Sequence, residues 1–244
     1  MTKRMLIRPV KAAKTALVYL LVLFVSFIFA FPCIWLVLSA FNAEGDLLTL
    51  EGFFPQTYSF DTFRRLFTEI TKYDYPRWFG NTLFVAAVSC VISTFLVIAV
   101  AYTISRYRFK SRKAMMKATL ILGIFPNFMN MTALFVIMTQ LHLINNLWGL
   151  ILLYSSGSTM GFLVQKGFFD TIPGTIYDAA TLDGASDFRV FVSITLPLAK
   201  PMIVYTALTS FVWPWADFML PSMLLIDKSS CCLLYTSPSP QDYA

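Results

Sequence analysis

Tyr177-Asp178-Ala179-Ala180-Thr181-Leu182-Asp183-Gly184-Ala185-Ser186-Asp187-Phe188-Arg189-Val190-Phe191-Val192-Ser193-Ile194-Thr195-Leu196-Pro197 lies between two strongly hydrophobic runs and mixes charge with apolar residues. Pro173 upstream can open a helix, since a first-turn residue needs no backbone donor. Asp178 then falls near the positive end of that helix, where an acid is favoured. Asp183-Gly184 reads as a stop and turn, because glycine accepts the positive φ that ends helices. Ser186 can cap a second helix. Phe188, Phe191 and Val192 follow at i, i+3 and i+4, one apolar stripe, and Pro197 and Pro201 are expected to stop it. Two short helices joined by a tight turn are marginal alone. Their flanks must hold them.

Those flanks are membrane spans. Of 244 residues, 57% are hydrophobic and 13% charged, against roughly 25% charged in a soluble domain. No Asp, Glu, Lys or Arg lies between Lys14 and Glu44, between Arg77 and Arg106, or between Lys117 and Lys166. The last gap is about twice the roughly 20 residues one crossing needs.

Residues 1–14 carry Lys3, Arg4, Arg8, Lys11 and Lys14 and no acid. A first span follows over about 15–40; it is too long for a cleavable signal h-region and is read as uncleaved. Residues 41–77 form a loop with six acids and four bases, placed outside. A second span, about 81–105, ends at Arg106-Tyr107-Arg108-Phe109-Lys110-Ser111-Arg112-Lys113. That cluster is a topology signal: the positive-inside rule places it and the N-terminus in the cytoplasm, two crossings apart. The pI near 9.2 reflects this topology and attraction to anionic lipid, with no nucleic acid as partner. The uncharged stretch divides at Leu141-His142-Leu143-Ile144-Asn145-Asn146 into spans of about 118–140 and 147–165. A fifth covers about 202–226, interrupted by Pro214, Asp217 and Pro221. The predicted fold is an all-α polytopic membrane bundle of five transmembrane helices, with a cytoplasmic two-helix loop over 166–200.

The central stretch resembles the coupling loop, often called the EAA loop, of the membrane subunits of bacterial ATP-binding-cassette importers. The family pattern is roughly E-A-A-x-x-D-G-A, a spaced Phe, then Leu-Pro. Here Asp178-Ala179-Ala180, Asp183-Gly184-Ala185, Phe188, Phe191 and Leu196-Pro197 stand in that order, with Asp in place of the first Glu. Asn81-Thr82, Arg106-Tyr107-Arg108-Phe109-Lys110 and Trp213-Pro214-Trp215-Ala216-Asp217 through Pro221 are similar to the maltose-type carbohydrate branch. The resemblance covers about residues 10–228 and implies a permease subunit of a sugar importer in the bacterial inner membrane. It implies a second permease subunit, an ATPase dimer and an extracytoplasmic solute-binding protein as partners. It places ATP and Mg on the ATPase, with no cofactor on this chain. The loop would dock in a cleft of the ATPase: Ala179, Ala180, Gly184 and Ala185 permitting close approach, Phe188 and Phe191 filling apolar surface, Asp178 and Asp183 pairing with partner groups. An amphipathic loop lying on headgroups would carry more Lys and Arg than the single Arg189 found between Asp170 and Lys200. The resemblance also implies a sixth span. The sequence leaves the pattern at about Ser229, so residues 229–244 are read as a non-native Ser/Pro-rich tail of a truncated chain, the permease domain being 15–228.

Candidate pathway residues are polar groups at membrane depth: Asn127 and Asn130 beside Pro126, Ser155 and Ser156, and Asp217. Asp217 fits either a pathway lining or, with Trp213 and Trp215, an interfacial belt. The Ser cluster fits tight helix packing better. A non-sugar solute, such as glycerol phosphate or a polyamine, is the alternative within transporters. An intramembrane hydrolase is the alternative outside them. The spans offer it no His or Lys as base, the single His142 lies in a turn, and no metal-ligand or P-loop spacing occurs. Cys33 and Cys90 read as small packing residues, and the adjacent Cys231 and Cys232 suggest no disulfide framework.

Overall fold

The computed structural model describes residues 3–41, 57–68, 74–124, 127–156, 159–226 and 232–233. Every regular element among them is a helix, in two units, 1–74 and 75–244. In the first, α1 (Lys3–Ala40) presents apolar side chains outward over Leu17 through Phe29. The short α2 (Asp61–Thr68) starts where Ser59 Oγ accepts from the Asp61 amide at 3.0 Å. Phe41 packs against Phe60 and Phe63, ring centroids 5.3 and 5.2 Å apart. Most of the expected 41–77 loop and of the 229–244 tail lies outside the described residues.

The second unit is built around α3 (Tyr75–Arg106), followed by α4 (Arg112–Ile124), α5 (Asn127–Gln140), α6 (Leu147–Ser156) and α7 (Thr159–Thr171). The loop helices α8 (Gly174–Leu182) and α9 (Asp187–Val190) come next. A π-helical turn, Phe191–Thr195, leads through α10 (Leu196–Leu198) to α11 (Lys200–Ala216) and α12 (Met219–Leu224). Small residues let α3 approach its neighbours. Thr82, Ala86, Ser89 and Ser93 are buried, Cys90 Sγ lies 3.2 Å from the Ala207 carbonyl, and Ser210 Oγ lies 3.4 Å from Ser93 Oγ. Close backbone approach through small residues is how helices gain packing energy where lipid removes the hydrophobic drive.

By length and composition, three described helices can cross a membrane: Ala12–Ala40, Tyr75–Arg106 and Leu147–Thr171. A fourth is added if Asp187–Leu198 and Lys200–Ala216, bent by 78°, count as one span. The five expected spans are therefore not all single helices. The third is described in two pieces, α4 as far as Ile124 and α5 from Asn127, with Phe125 and Pro126 outside the described residues. The fourth runs on to Thr171 rather than ending at 165. The fifth divides at Asp217. Pro197 also does not end its helix. The preceding turn widens so that the Leu196 amide reaches the Phe191 carbonyl, five residues back, and the helical run continues to Leu198.

Two apolar clusters occupy the two halves of α3. One gathers Val85, Met138, Leu150, Leu224 and Leu225, with Cys232 beside them. There the predicted turn at 141–146 is present: Asn145 Oδ1 accepts from the Ile226 amide at 2.6 Å, and the Asn145 amide donates to the Leu224 carbonyl at 2.8 Å. The other gathers Ile98, Tyr102, Phe169, Tyr177, Ala180, Val190 and Ala199 around the end of α3.

Candidate functional site

The turn between α8 and α9 forms as its residues dictate. Gly184 has φ +76°; its amide donates to the Thr181 carbonyl and the Ala185 amide to the Ala180 carbonyl, both at 3.0 Å. This pair of bonds closes the last turn of α8 and satisfies two carbonyls that would otherwise lack donors. Ser186 caps α9, its Oγ accepting from the Arg189 amide at 3.4 Å. Pro173 stands one residue before the helix as its N-cap, and Asp178 falls in the second turn rather than the first.

Six of the nine predicted loop residues face outward. Asp178, Ala179, Asp183, Gly184, Phe188 and Pro197 are exposed, Phe188 at 75%. Ala180 is buried, Ala185 half-buried, and Phe191 packs its ring 4.6 Å from that of Tyr102. The apolar stripe Phe188–Phe191–Val192 is thus divided between inside and outside, where α9 gives way to the wider π turn. The tip gains a residue the sequence reading missed: Leu182, beside the turn, is 89% exposed.

Beneath the tip, the last turn of α3 meets three elements. Arg106 places its guanidinium carbon 3.8 Å above the centroid of the Tyr177 ring, and Tyr177 is 4% exposed. Ser105 Oγ donates to Asp170 Oδ1 at 2.6 Å, while Lys166 pairs with the other oxygen one turn away on α7. Tyr102 sets its ring edge-on to Phe169, 6.0 Å between centroids. Burial first, then the neighbouring Asp187 carboxylate, push the Tyr107 hydroxyl above its ordinary value, against the pull of Arg106. A cavity of about 310 Å³ opens here, lined by Tyr102, Ser105, Arg106, Arg112, Asp170 and Tyr177 among others. None of these was singled out for the site from sequence. The signal was the spacing Tyr102–Ser105–Arg106 and Tyr177–Ala180, each on one helix face.

The predicted pathway residues stand in different settings. Asn130 is exposed on α5; Asn127 begins that helix, and its side chain lies outside the described residues. Ser155 is buried with no hydrogen-bond partner for its Oγ, and Ser156 donates to the Leu153 carbonyl at 3.0 Å. Asp217 is engaged in the fold. It accepts from the Tyr154 hydroxyl at 3.1 Å and from the Met219 amide at 2.9 Å, which caps α12. A buried polar contact not anticipated joins α7 to α11, where Gln165 Oε1 accepts from Thr206 Oγ1 at 3.3 Å. No group of three His, Cys, Asp or Glu that could hold a metal occurs among the described residues.

Residues 98–229, which contain the end of α3, the loop and the bent helix after it, match the family of binding-protein-dependent transport system inner membrane components. The chain belongs to this family. The permease is 36% identical over 214 residues to the maltodextrin transport system permease protein MalD of Streptococcus pneumoniae, covering 87% of this chain and 75% of the relative. It is 36% identical over 221 residues to the galactooligosaccharides transport system permease protein GanQ of Bacillus subtilis, covering 90% and 76%. Its fold is similar to a solved bacterial ABC transporter involved in the import of the acidic polysaccharide alginate, with a TM-score of 0.77 at 20% identity, over 91% of this chain and 78% of that one. The permease is therefore a helical inner-membrane transport subunit rather than a catalyst, and membership of a binding-protein-dependent system implies ATPase and binding-protein partners.

Proposed function

We propose that this permease forms half of the translocation pathway of an ATP-driven oligosaccharide importer and couples to an ATPase through the α8–α9 loop. The observation that carries the coupling is the division of the loop: a buried base at Tyr177, Ala180 and Val190 under a tip that leaves Leu182 and Phe188 uncovered. Apolar side chains this exposed beside a fixed turn suit a partner's pocket, where a few well-packed residues dominate binding. Asp178 and Asp183 are the exposed acids beside them. Ala179, Gly184 and Ala185 keep the approach close. Ala180, Phe191 and Pro197 serve by holding the loop's shape. ATP and Mg would be held by the ATPase, and a second permease subunit would complete the pathway.

In this reading five spans cross the inner membrane. The basic residues 1–14, the Arg106–Lys113 cluster and the loop lie in the cytoplasm, as the positive-inside rule directs. The 41–77 loop lies outside. The carbohydrate assignment rests on relatives that are maltodextrin and galactooligosaccharide permeases. Asn127, Asn130, Ser155, Ser156 and Asp217 are pathway positions to test, although the bonds of Asp217 favour a structural role for it.

The test is co-purification of the importer from detergent, with Leu182→Ala and Phe188→Ala, alone and together, and with Asp178→Ala and Asp183→Ala. Loss of the ATPase from the paired Leu182/Phe188 variant, with the permease still folded, is expected. Undiminished ATPase in every variant would refute docking through this tip.

A further inference from the structure

The geometry points to the last turn of α3 as the receiver of the loop's movement, with Arg106 a positioning residue that locks α3 to Tyr177. This deepens the coupling reading above and rests on it. A docked loop can pass motion to the bundle through the chain itself or through side chains. Toward α11 the chain turns by 78° at Ala199, just after the π turn. A bend of this size redirects a push rather than carrying it straight into α11. The end of α3 is not continuous with the loop, yet it grips each element there. Tyr102 holds Phe169 of α7 and Phe191, Ser105 holds Asp170, Arg106 covers Tyr177 of α8, and Tyr107, just past the helix end, lies beside Asp187 of α9. Residues 102, 105 and 106 share one helix face, so these contacts act on α3 along a single line.

Arg106 is the specific element of the set. A guanidinium over a buried ring is a directional contact, strongest where water is excluded. Tyr177 is such a ring, fixed from below by Thr195, whose Oγ1 donates to its hydroxyl at 3.4 Å. The adjacent cavity leaves room for Arg106 and Arg112 to take a second arrangement without overpacking. A contact with two arrangements, biased from the loop side, is the physical content of a coupling joint.

The experiment uses the whole importer in proteoliposomes, with maltotriose as the probe, and reads retained ATPase, ATP hydrolysis and maltotriose moved per ATP. Arg106→Met and Tyr177→Leu should each keep the ATPase bound and hydrolysing while the sugar moved per ATP falls about tenfold, a loss on the scale of a desolvated cation–π contact. The double variant should be no worse than the poorer single, since both remove one contact. Tyr177→Phe, which keeps the ring, should stay close to the unaltered importer. An unchanged ratio in Arg106→Met with the ATPase bound would overturn the proposal, as would independent, multiplying losses in the double variant. Should Arg106→Met fail to assemble, Arg106→Lys carries the test: it keeps the charge without the planar fork, and a ratio equal to the unaltered importer overturns the joint. Failure of docking is a separate result, seen as ATPase that stays bound whatever is done to Leu182 and Phe188.

Discussion

Two turns near the opposite ends of α3 are built from the same pair of backbone bonds and serve different ends. At 183–186, the amides of Gly184 and Ala185 reach back to Thr181 and Ala180. At 141–146, the amides of His142 and Leu143 reach back to Thr139 and Met138, and His142 takes φ +55° where the other turn uses glycine. The surroundings differ. The His142 turn is closed over by its own chain: Asn145 is bonded to Leu224 and Ile226, and Leu143 lies against α6. The Gly184 turn has nothing within 4 Å of where a side chain would start, and it leaves Leu182 and Phe188 uncovered. Similar local chemistry thus makes a finished corner in one place and an uncovered surface in the other. The difference lies in the neighbours each turn finds.

The sharpest way to break this contrast is at Gly149. A Cβ there would stand 2.6 Å from the Leu143 carbonyl oxygen, a backbone atom that cannot swing aside. Gly149→Ala is therefore expected to destabilise the permease by about 1–3 kcal/mol, the usual scale of forced overpacking. The check is the thermal unfolding midpoint of the detergent-purified importer. An unmoved midpoint would mean that the corner is looser than the packing indicates.

At Gly184 the constraint is conformational, with no steric part. Gly184→Ala meets no atom but must hold a positive φ, which costs roughly 1 kcal/mol once alanine's smaller unfolded-state entropy is allowed for. Gly184→Asn, whose side chain tolerates this region, should be close to neutral. Both are read by ATPase retention alongside unfolding. A larger loss for Asn than for Ala would show that bulk at the tip, and not backbone strain, governs docking.

These cases mark what could be read from sequence. Gly184, Ser186 and the 141–146 turn were legible because caps and turns answer to the nearest few residues. The uncharged gaps placed α1, α3 and the α6–α7 pair for the same reason: the membrane acts on each stretch separately. The inward placement of Ala180 and Phe191 was not legible, because it depends on Tyr102, far away in sequence, arriving beneath them. Pro197 misled for a related reason. A lone proline reads as a stop, but a widened turn before it lets the helix continue. Arg106 was visible in a topology signal and in a segment that carries the family resemblance; its seat on Tyr177 is a tertiary fact. Leu182 went unnoticed because an exposed leucine has no sequence signature.

The smallest effect expected is also the most discriminating for the two turns. His142 sits where glycine is favoured, at the residue just after a helix end, and holds a left-handed conformation against its own Cβ. Replacing it relieves that strain while adding glycine's unfolded-state entropy, so His142→Gly should stabilise the permease by about 0.5 kcal/mol. Asn145, at φ +57°, is the control, because asparagine tolerates this region, so glycine there relieves little strain and removes the oxygen that accepts from the Ile226 amide. Asn145→Gly should therefore destabilise, since a lost acceptor leaves a donor unpaired. Opposite signs for the two variants in one unfolding assay would establish that this corner is held by its partners and not by its backbone conformation. Two gains of equal size would place it with the Gly184 turn, as a bend shaped by local conformation alone.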